Sequence, residues 1–337
     1  MVSLDDDAVA KLTGQLAGGL VAQMITTAAE LGLADALAPA PADPATLARV
    51  CRAEVDSLRR LLRGLCSIGL VEEVDTDLFD LTETGQLLRS DHPRSLYSWA
   101  RVQGRLFARL WGALPEVVRT GRAASELVFG APFYEYLAAE PELWAEYDRS
   151  MDETSRVWFE DVLDALDWSG VHRVVDVGGG RGGSLALVLR ARPDLVGMVY
   201  DLPAVAALAA ADLAGAGLAG RGAVMGGDFF QWVPPGADAY LLVRVVFNWS
   251  DEPATSVLRR CREAMARGSR LVIIDQVVPD HEVSDPVKFN DVNLMAIGGR
   301  ARRLSEWDRL LAGSGLARTH TELPWPTGWS AIIARPA

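Results

Sequence analysis

The chain has 337 residues, half of them hydrophobic, which is long enough for two domains with sizeable cores and too apolar for a disordered segment. Its 45 acidic residues outnumber 33 basic ones, and the formal net charge of −12 argues against nucleic acid or an anionic membrane as partner, since cations must neutralise both. No uncharged apolar run reaches about 18 residues, the acidic start Met1-Val2-Ser3-Leu4-Asp5-Asp6-Asp7 lacks a signal peptide's basic region, and the scattered Cys51, Cys66 and Cys261 have no metal-ligand spacing, so a cytoplasmic, reduced, metal-free protein is expected.

Residues 8–38 carry apolar positions at helical spacing, punctuated by Gly32 and Pro39. Asp43-Pro44-Ala45-Thr46-Leu47-Ala48 predicts a capped helix with proline at its first position. A second helix is expected over 57–68, stopped by Gly69, and then a hairpin of 70–74 and 78–81 across Asp75-Thr76-Asp77. Two helices and a hairpin make a winged-helix pattern, and the acidity of the hairpin favours a structural or dimerising role over DNA binding. Residues 95–167 read as helical and aromatic-rich, Tyr134, Trp144, Tyr147, Trp158 and Phe159 among them. Most of these rings are expected in the core or a dimer contact, and some in the wall of an apolar pocket.

From residue 171 onward strands and helices alternate, which predicts a parallel sheet flanked by helices. Strands are expected over 173–177, 197–200, 223–225, 239–243 and 271–275, with a closing antiparallel pair at 317–322 and 329–334. The first strand runs into Val177-Gly178-Gly179-Gly180-Arg181-Gly182-Gly183, where missing Cβ atoms let backbone approach a ligand. Gly178, Gly180 and Gly183 satisfy the dinucleotide fingerprint G-x-G-x-x-G, and Asp201 follows at the spacing of a ribose-hydroxyl acceptor. A nicotinamide-dependent oxidoreductase is therefore one reading. Three details point elsewhere: Asp176 directly before the turn, Gly226-Gly227-Asp228-Phe229-Phe230 after another strand, and a long helical half preceding the domain.

The set Asp176-Val177-Gly178-Gly179-Gly180, Tyr200-Asp201-Leu202-Pro203, Gly227-Asp228-Phe229-Phe230 and Asn248-Trp249-Ser250-Asp251-Glu252 resembles the S-adenosylmethionine-dependent small-molecule O-methyltransferases, the plant-type group also found in bacterial antibiotic pathways. The resemblance spans nearly the whole chain. It implies a Rossmann-like methyltransferase domain over 165–337 behind a mainly helical winged-helix dimerisation domain over 1–164, and a homodimer. It further implies that Gly178, Gly180 and Gly227 shape the S-adenosylmethionine site, Asp201 takes the ribose hydroxyls, Leu202 and Phe229 sandwich the adenine, Asp228 accepts its amine and Trp249 closes the rim. Arg244 is either a partner of the cofactor carboxylate or a structural ion-pair member.

The chain departs from the family at the catalytic base. Phe247 stands where relatives carry a histidine, and Ala301 where a glutamate orients it. His92, His172, His281 and His320 lie in segments that offer no replacement. Three readings follow: methyl transfer to an aromatic hydroxyl by proximity and desolvation, transfer to a ring carbon, or a non-methylating relative (hydroxylase, decarboxylase or pericyclase) that keeps the cofactor as a structural element. The first is preferred. Asn248 and Arg302 are the candidate catalytic residues, with Arg303 as a second source of charge; the alternative for both arginines is an exposed helix start. Phe247, Asn248, Asn290 and Met295 are the candidate substrate wall for a small aromatic molecule, with helix capping and plain core packing as the alternatives for Asn248 and Met295.

Overall fold

The computed structural model describes residues 6–279, 286–322 and 328–337. It divides into two compact units, one ending at Arg109 and one beginning at Leu110. This division falls well before the 164/165 boundary expected from the onset of strand alternation. The physical reason is packing, because helices ahead of the first sheet strand lie on the first helix inside the sheet unit.

The first unit opens on α1 (Asp6–Glu30), which Gly32, left-handed at φ 63°, separates from α2 (Leu33–Leu37). In α3 (Pro44–Cys51) the Asp43 side chain accepts hydrogen bonds from the Ala45 and Thr46 amides, and Pro44 takes the first position. After α4 (Val55–Ser67), β1 (Val71–Asp75) and β2 (Leu78–Leu81) form the antiparallel wing, and α5 (Glu83–Gln86) follows. Next come α6 (Tyr97–Val102), a π-helical stretch over Gln103–Phe107, and α7 (Ala108–Trp111). The core gathers Leu37, Leu47, Leu58, Leu62, Leu65 and Phe79. On α1, by contrast, Val9, Leu12, Leu16 and Leu20 form an exposed stripe, Leu16 at 76 %.

The second unit continues with α8 (Leu114–Thr120), α9 (Ala124–Phe129), α10 (Phe133–Ala139), α11 (Pro141–Trp158) and α12 (Glu160–Ala165). The alternating region is β3 (Arg173–Val177), α13 (Gly183–Ala191), β4 (Val196–Asp201), α14 (Pro203–Gly215), β5 (Gly222–Gly226) and β6 (Ala239–Val243). It proceeds through α15 (Asp251–Ala264), β7 (Arg270–Asp275), α16 (Pro286–Leu294), α17 (Leu304–Gly313), β8 (Leu316–Glu322) and β9 (Ser330–Pro336). The sheet has seven strands in the order β5-β4-β3-β6-β7-β9-β8. β5 through β7 pair in parallel, while β9 runs antiparallel to both its neighbours.

The inner strands are apolar along their length because both faces are covered. One face holds Leu185 and Val188 of α13 with Val162 and Leu163 of α12. The other holds Val257, Leu258 and Cys261 of α15 with Trp307 and Leu311 of α17. Each such large side chain contributes about 1.5–3 kcal/mol of hydrophobic free energy. β3 sits between β4 and β6, so the chain direction across the sheet reverses there. Ligands of open α/β sheets bind outside the carboxyl ends of strands at that reversal. Among the described residues, no helix is long and apolar enough to cross a membrane.

Candidate functional site

A cavity of about 350 Å³ opens at the carboxyl ends of β3, β4 and β6 and reaches the segment after β5. The turn after β3 can make its bend because Gly178 and Gly180 take left-handed φ angles of 69° and 57°. Asp201, at the tip of β4, organises that turn directly. Its Oδ2 accepts from the Gly180 amide at 2.8 Å, and its Oδ1 from the Leu202 amide at 2.7 Å. Asp228 accepts from the Phe230 amide and from Gln231 Nε2, which fixes the carboxylate at the cavity edge. Leu202, Phe229, Asn248 and Trp249 complete that side. Trp249 lies 4.9 Å from Phe230, 5.6 Å from Tyr134 and 6.4 Å from Phe229, centroid to centroid, so the rim is a cluster of rings.

The opposite wall comes from α11. Trp144, Tyr147, Asp148, Met151, Asp152 and Ser155 all line the cavity. Burial, with the Asp201 charge behind it, pushes the Asp148 and Asp176 carboxyls up to about 7. Both Asp176 oxygens and Asp148 Oδ2 are sealed from solvent with no well-formed hydrogen bond, although the Leu185 amide faces Asp176 and the Trp144 side chain faces Asp148, each opposing the upward shift. Burial also raises Asp201, against its two amide bonds. Clustered acids with unpartnered oxygens are costly in a folded chain unless a cation or donor meets them. The wall therefore fits a positively charged ligand, and the rings fit flat ones.

Arg244 follows β6 with a left-handed backbone, φ 58°. Its Nη1 donates to Thr154 Oγ1 at 2.8 Å and its Nη2 lies 2.9 Å from Met151 Sδ. The guanidinium carbon stands 5.3 Å, 5.9 Å and 5.7 Å from the ring centroids of Trp158, Phe159 and Trp329. Asn248 Nδ2 donates to the Arg244 carbonyl at 2.7 Å. Asn248 is thus a cavity residue whose amide is also a brace for the arginine.

Several residues singled out in the sequence lie off the cavity. Gly227 is a spacer: its amide donates to the Asp201 carbonyl, and any side chain there would run into the Tyr200 phenol. Phe247 is buried with its ring against Trp329 at 5.7 Å, and its amide donates to Asp275 Oδ2. Asn290 donates to Gln276 Oε1 and accepts from Asn293, so it belongs to a polar chain beside α16. Met295 is half-buried and gives its carbonyl to the Ala124 amide. Arg302 is buried at 1 % exposure and clamps Asp251 Oδ1 and the Trp249 carbonyl, so it is neither surface-lying nor facing the cavity. Arg303 is exposed at the start of α17. Ala301 is buried, its amide donating to Asp291 Oδ1. His92 accepts from the Arg94 amide, His320 sits on exposed β8, and His281 lies outside the described residues.

Among the lining residues that sequence reasoning missed, Asp148, Met151, Asp152 and Ser155 form a group on α11. A signal was present: with Trp144 they recur at i, i+4, i+7, i+8 and i+11, one face of a helix. Acids on such a face, where core residues are expected, mark a polar cavity.

Known proteins resemble this chain over most of its length. A family model described as an O-methyltransferase domain matches residues 111–317, and one described as an O-methyltransferase dimerisation domain matches residues 15–91. The chain is 35 % identical to a phenazine O-methyltransferase of Lysobacter antibioticus, over 96 % of this chain and 95 % of that protein. It is 37 % identical to an aclacinomycin 10-hydroxylase of Streptomyces purpurascens, over 89 % and 82 %. A crystal structure of an O-methyltransferase from neocarzinostatin biosynthesis, in complex with S-adenosylmethionine and 2-hydroxy-5-methyl naphthoic acid, superposes with a TM-score of 0.79 at 33 % identity, covering 94 % and 96 % of the two chains.

Proposed function

The chain belongs to the O-methyltransferase family that carries a dimerisation domain, and from that membership we propose that it methylates a hydroxyl of a flat, apolar aromatic natural product without a histidine base. It is an S-adenosylmethionine-dependent methyltransferase; when bound, the cofactor supplies an electrophilic methyl group on a sulfonium centre. Gly178 and Gly180 line the amino-acid end, and Asp201 accepts from the ribose hydroxyls while holding the glycine turn. Leu202 and Phe229 flank the adenine, Asp228 accepts from its amine, and Trp249 with Phe230 and Tyr134 closes the rim. Asp148 and Asp176 balance the positive charge.

The observation that carries this reading is the cavity itself: carboxylates of Asp176 and Asp201 at strand ends and of Asp148 on α11, opposite a cluster of aromatic rings. The absence of a base rests on two coupled positions. The Phe247 ring cannot take a proton, and Ala301 cannot orient one that could. Rate must then come from holding the acceptor oxygen against the methyl carbon in a site sealed from water. The substrate class is supported by relatives named for phenazine and naphthoic acid chemistry. A homodimer is supported by the dimerisation domain and by the exposed α1 stripe.

A second reading is favoured by the same missing base together with the hydroxylase relative: oxidative chemistry with the cofactor as a fixed charge. Methyl-labelled cofactor, candidate phenols and mass analysis of products separate the two. A labelled ether is expected. A product without added methyl, formed only when cofactor is present, would put the second reading first.

A further inference from the structure

A second cavity, of about 280 Å³, lies at the amino ends of β3, β6 and β7, where the loops leading into those strands meet the end of β9. It shares no lining residue with the cavity at the carboxyl ends, and the five residues of β3 between the two span roughly 17 Å. Three arginines line it, Arg173 of β3, Arg270 of β7 and Arg335 of β9. Among the described residues none of the three forms an ion pair. The Nε and Nη2 atoms of Arg270 are enclosed without a hydrogen-bond partner, and its guanidinium carbon lies 5.8 Å from the Trp168 ring centroid. Arg335 gives Nη1 to the Gly268 carbonyl at 3.2 Å and is otherwise exposed. One acid, Asp238, shares the cavity, and its Oδ2 is taken by the His172 and Arg173 amides at 2.9 and 2.8 Å. Asp167, whose charge also reaches Arg270, accepts from the Ser169 amide and hydroxyl.

β7 and β9 run antiparallel with Leu271 opposite Ala334. The next pair outward is therefore Arg270 and Arg335, side chains on one face. Like charges directly opposite one another across an antiparallel pair destabilise it. Burial lowers the Arg270 guanidinium; the Asp167 charge opposes this, and the Arg335 charge adds to it. A chain with a formal net charge of −12 could place an acid at either position and gain a cross-strand ion pair, yet it places cations at both. An anion held between them turns that repulsion into two charge-assisted contacts. A carboxylate carries one charge and matches one guanidinium fork. A phosphate group carries nearly two and has oxygens enough for both forks.

We infer that the cavity at the amino ends of the strands is a second ligand site, one that binds a phosphate group between Arg270 and Arg335, with Arg173 adding charge at its lining. The ligand is held and released whole, and the site is independent of the methyl-transfer reading. Its phosphate comes either as the free ion or as part of a small phosphate monoester.

Inorganic phosphate and glycerol 3-phosphate are the probes, with malonate as a dianion that lacks the phosphate geometry. Each is titrated by calorimetry into wild-type protein saturated with S-adenosylhomocysteine, in about 0.15 M sodium chloride so that unspecific surface attraction is screened. At least one phosphate compound is expected to half-saturate the protein below about 1 mM, at least about tenfold more tightly than malonate. Tighter binding of the glycerol ester assigns the site to a phosphorylated metabolite, and tighter binding of inorganic phosphate assigns it to the free ion. Arg270→Gln and Arg335→Gln should each weaken the binding about tenfold, while circular dichroism checks that they are folded. Without phosphate, Arg335→Gln should keep or raise the thermal midpoint, because it removes a repulsion; an arginine serving only the fold would lower it. Half-saturation above about 10 mM, malonate binding as tightly as phosphate, undiminished binding in folded Arg335→Gln, or a lowered midpoint in that variant each overturns the inference. Should Arg270→Gln not fold, the exposed Arg335 decides alone.

Discussion

At the scale of single residues, Asp148 and Asp176 in the cavity wall are set by burial and by the Asp201 charge rather than by cationic partners. Their carboxyls reach about 7, above the ordinary carboxylate range, so the folded chain holds protons that the unfolded chain releases. The sign follows: Asp148 and Asp176 favour the fold at low pH, and that contribution is lost as pH rises toward 7. The ligand-free protein should lose thermal stability over this range. A sulfonium should bind better as the acids ionise, so the preference for S-adenosylmethionine over S-adenosylhomocysteine should grow from pH 6 to pH 8. Calorimetry of both ligands at the two pH values checks this, and a flat ratio counts against the charge-balancing role. Asp201→Asn removes a charged acceptor and should weaken cofactor binding by roughly 1.5–3 kcal/mol, or about 10- to 150-fold. Phe247→His alone buries an imidazole beside Trp329 with no acid to orient it, and should leave turnover unimproved. Paired with Ala301→Glu it should introduce a new pH dependence near 6–7 in the rate profile. A tenfold gain from the single change would refute the account of the coupled loss. Asp176, Asp201 and Asp228 were legible as a set because each stands within two residues of a strand's carboxyl end. Arg244 was named as well, but its left-handed backbone and its packing on Trp158, Phe159 and Trp329 leave no trace in residue spacing.

At the scale of elements, the strands were read almost to the residue. Continuous apolar runs between glycine and acid punctuation leave little choice of register, and 173–177 and 239–243 match β3 and β6. The wing was equally plain, since Asp75-Thr76-Asp77 interrupts two short alternating runs and Asp77 takes the left-handed turn position. Arg302 was misread for a reason of scale. Its neighbour Arg303 does lie at an exposed helix start, but one residue earlier the chain turns inward, and the guanidinium joins the loop after β6 to the start of α15. Arg302→Ala should cost about 3 kcal/mol by leaving the Trp249 carbonyl and Asp251 unpaired, a drop of roughly 6–12 °C in thermal midpoint. Scanning calorimetry decides the point. An unchanged midpoint with collapsed turnover would make Arg302 a catalytic cation after all.

At the scale of the molecule, the helices between residues 110 and 165 were the hard part to allocate. Sequence pattern separates helical from alternating regions, whereas compactness follows contacts, and α12 packs on α13 of the sheet unit. Composition did indicate that some apolar surface needs cover. Leu12, Leu16 and Leu20 expose 58 %, 76 % and 65 % of their area along α1. A soluble monomer rarely keeps so continuous a stripe uncovered. Leu16→Glu combined with Leu20→Glu should convert the dimer to a folded monomer in sedimentation velocity. If the wild-type protein sediments as a monomer at micromolar concentration, the stripe serves something other than a second copy.

The stacked indoles of Trp158 and Trp329, 6.1 Å apart, both lie against the guanidinium of Arg244, a cavity-lining residue, and so report on it optically. An anion that draws Arg244 off those ring faces weakens a cation–π contact, so the ultraviolet emission and near-ultraviolet dichroism of the paired rings should change with occupancy. Ligand screening could then proceed on unlabelled protein, with a Trp158→Phe version as the silent control.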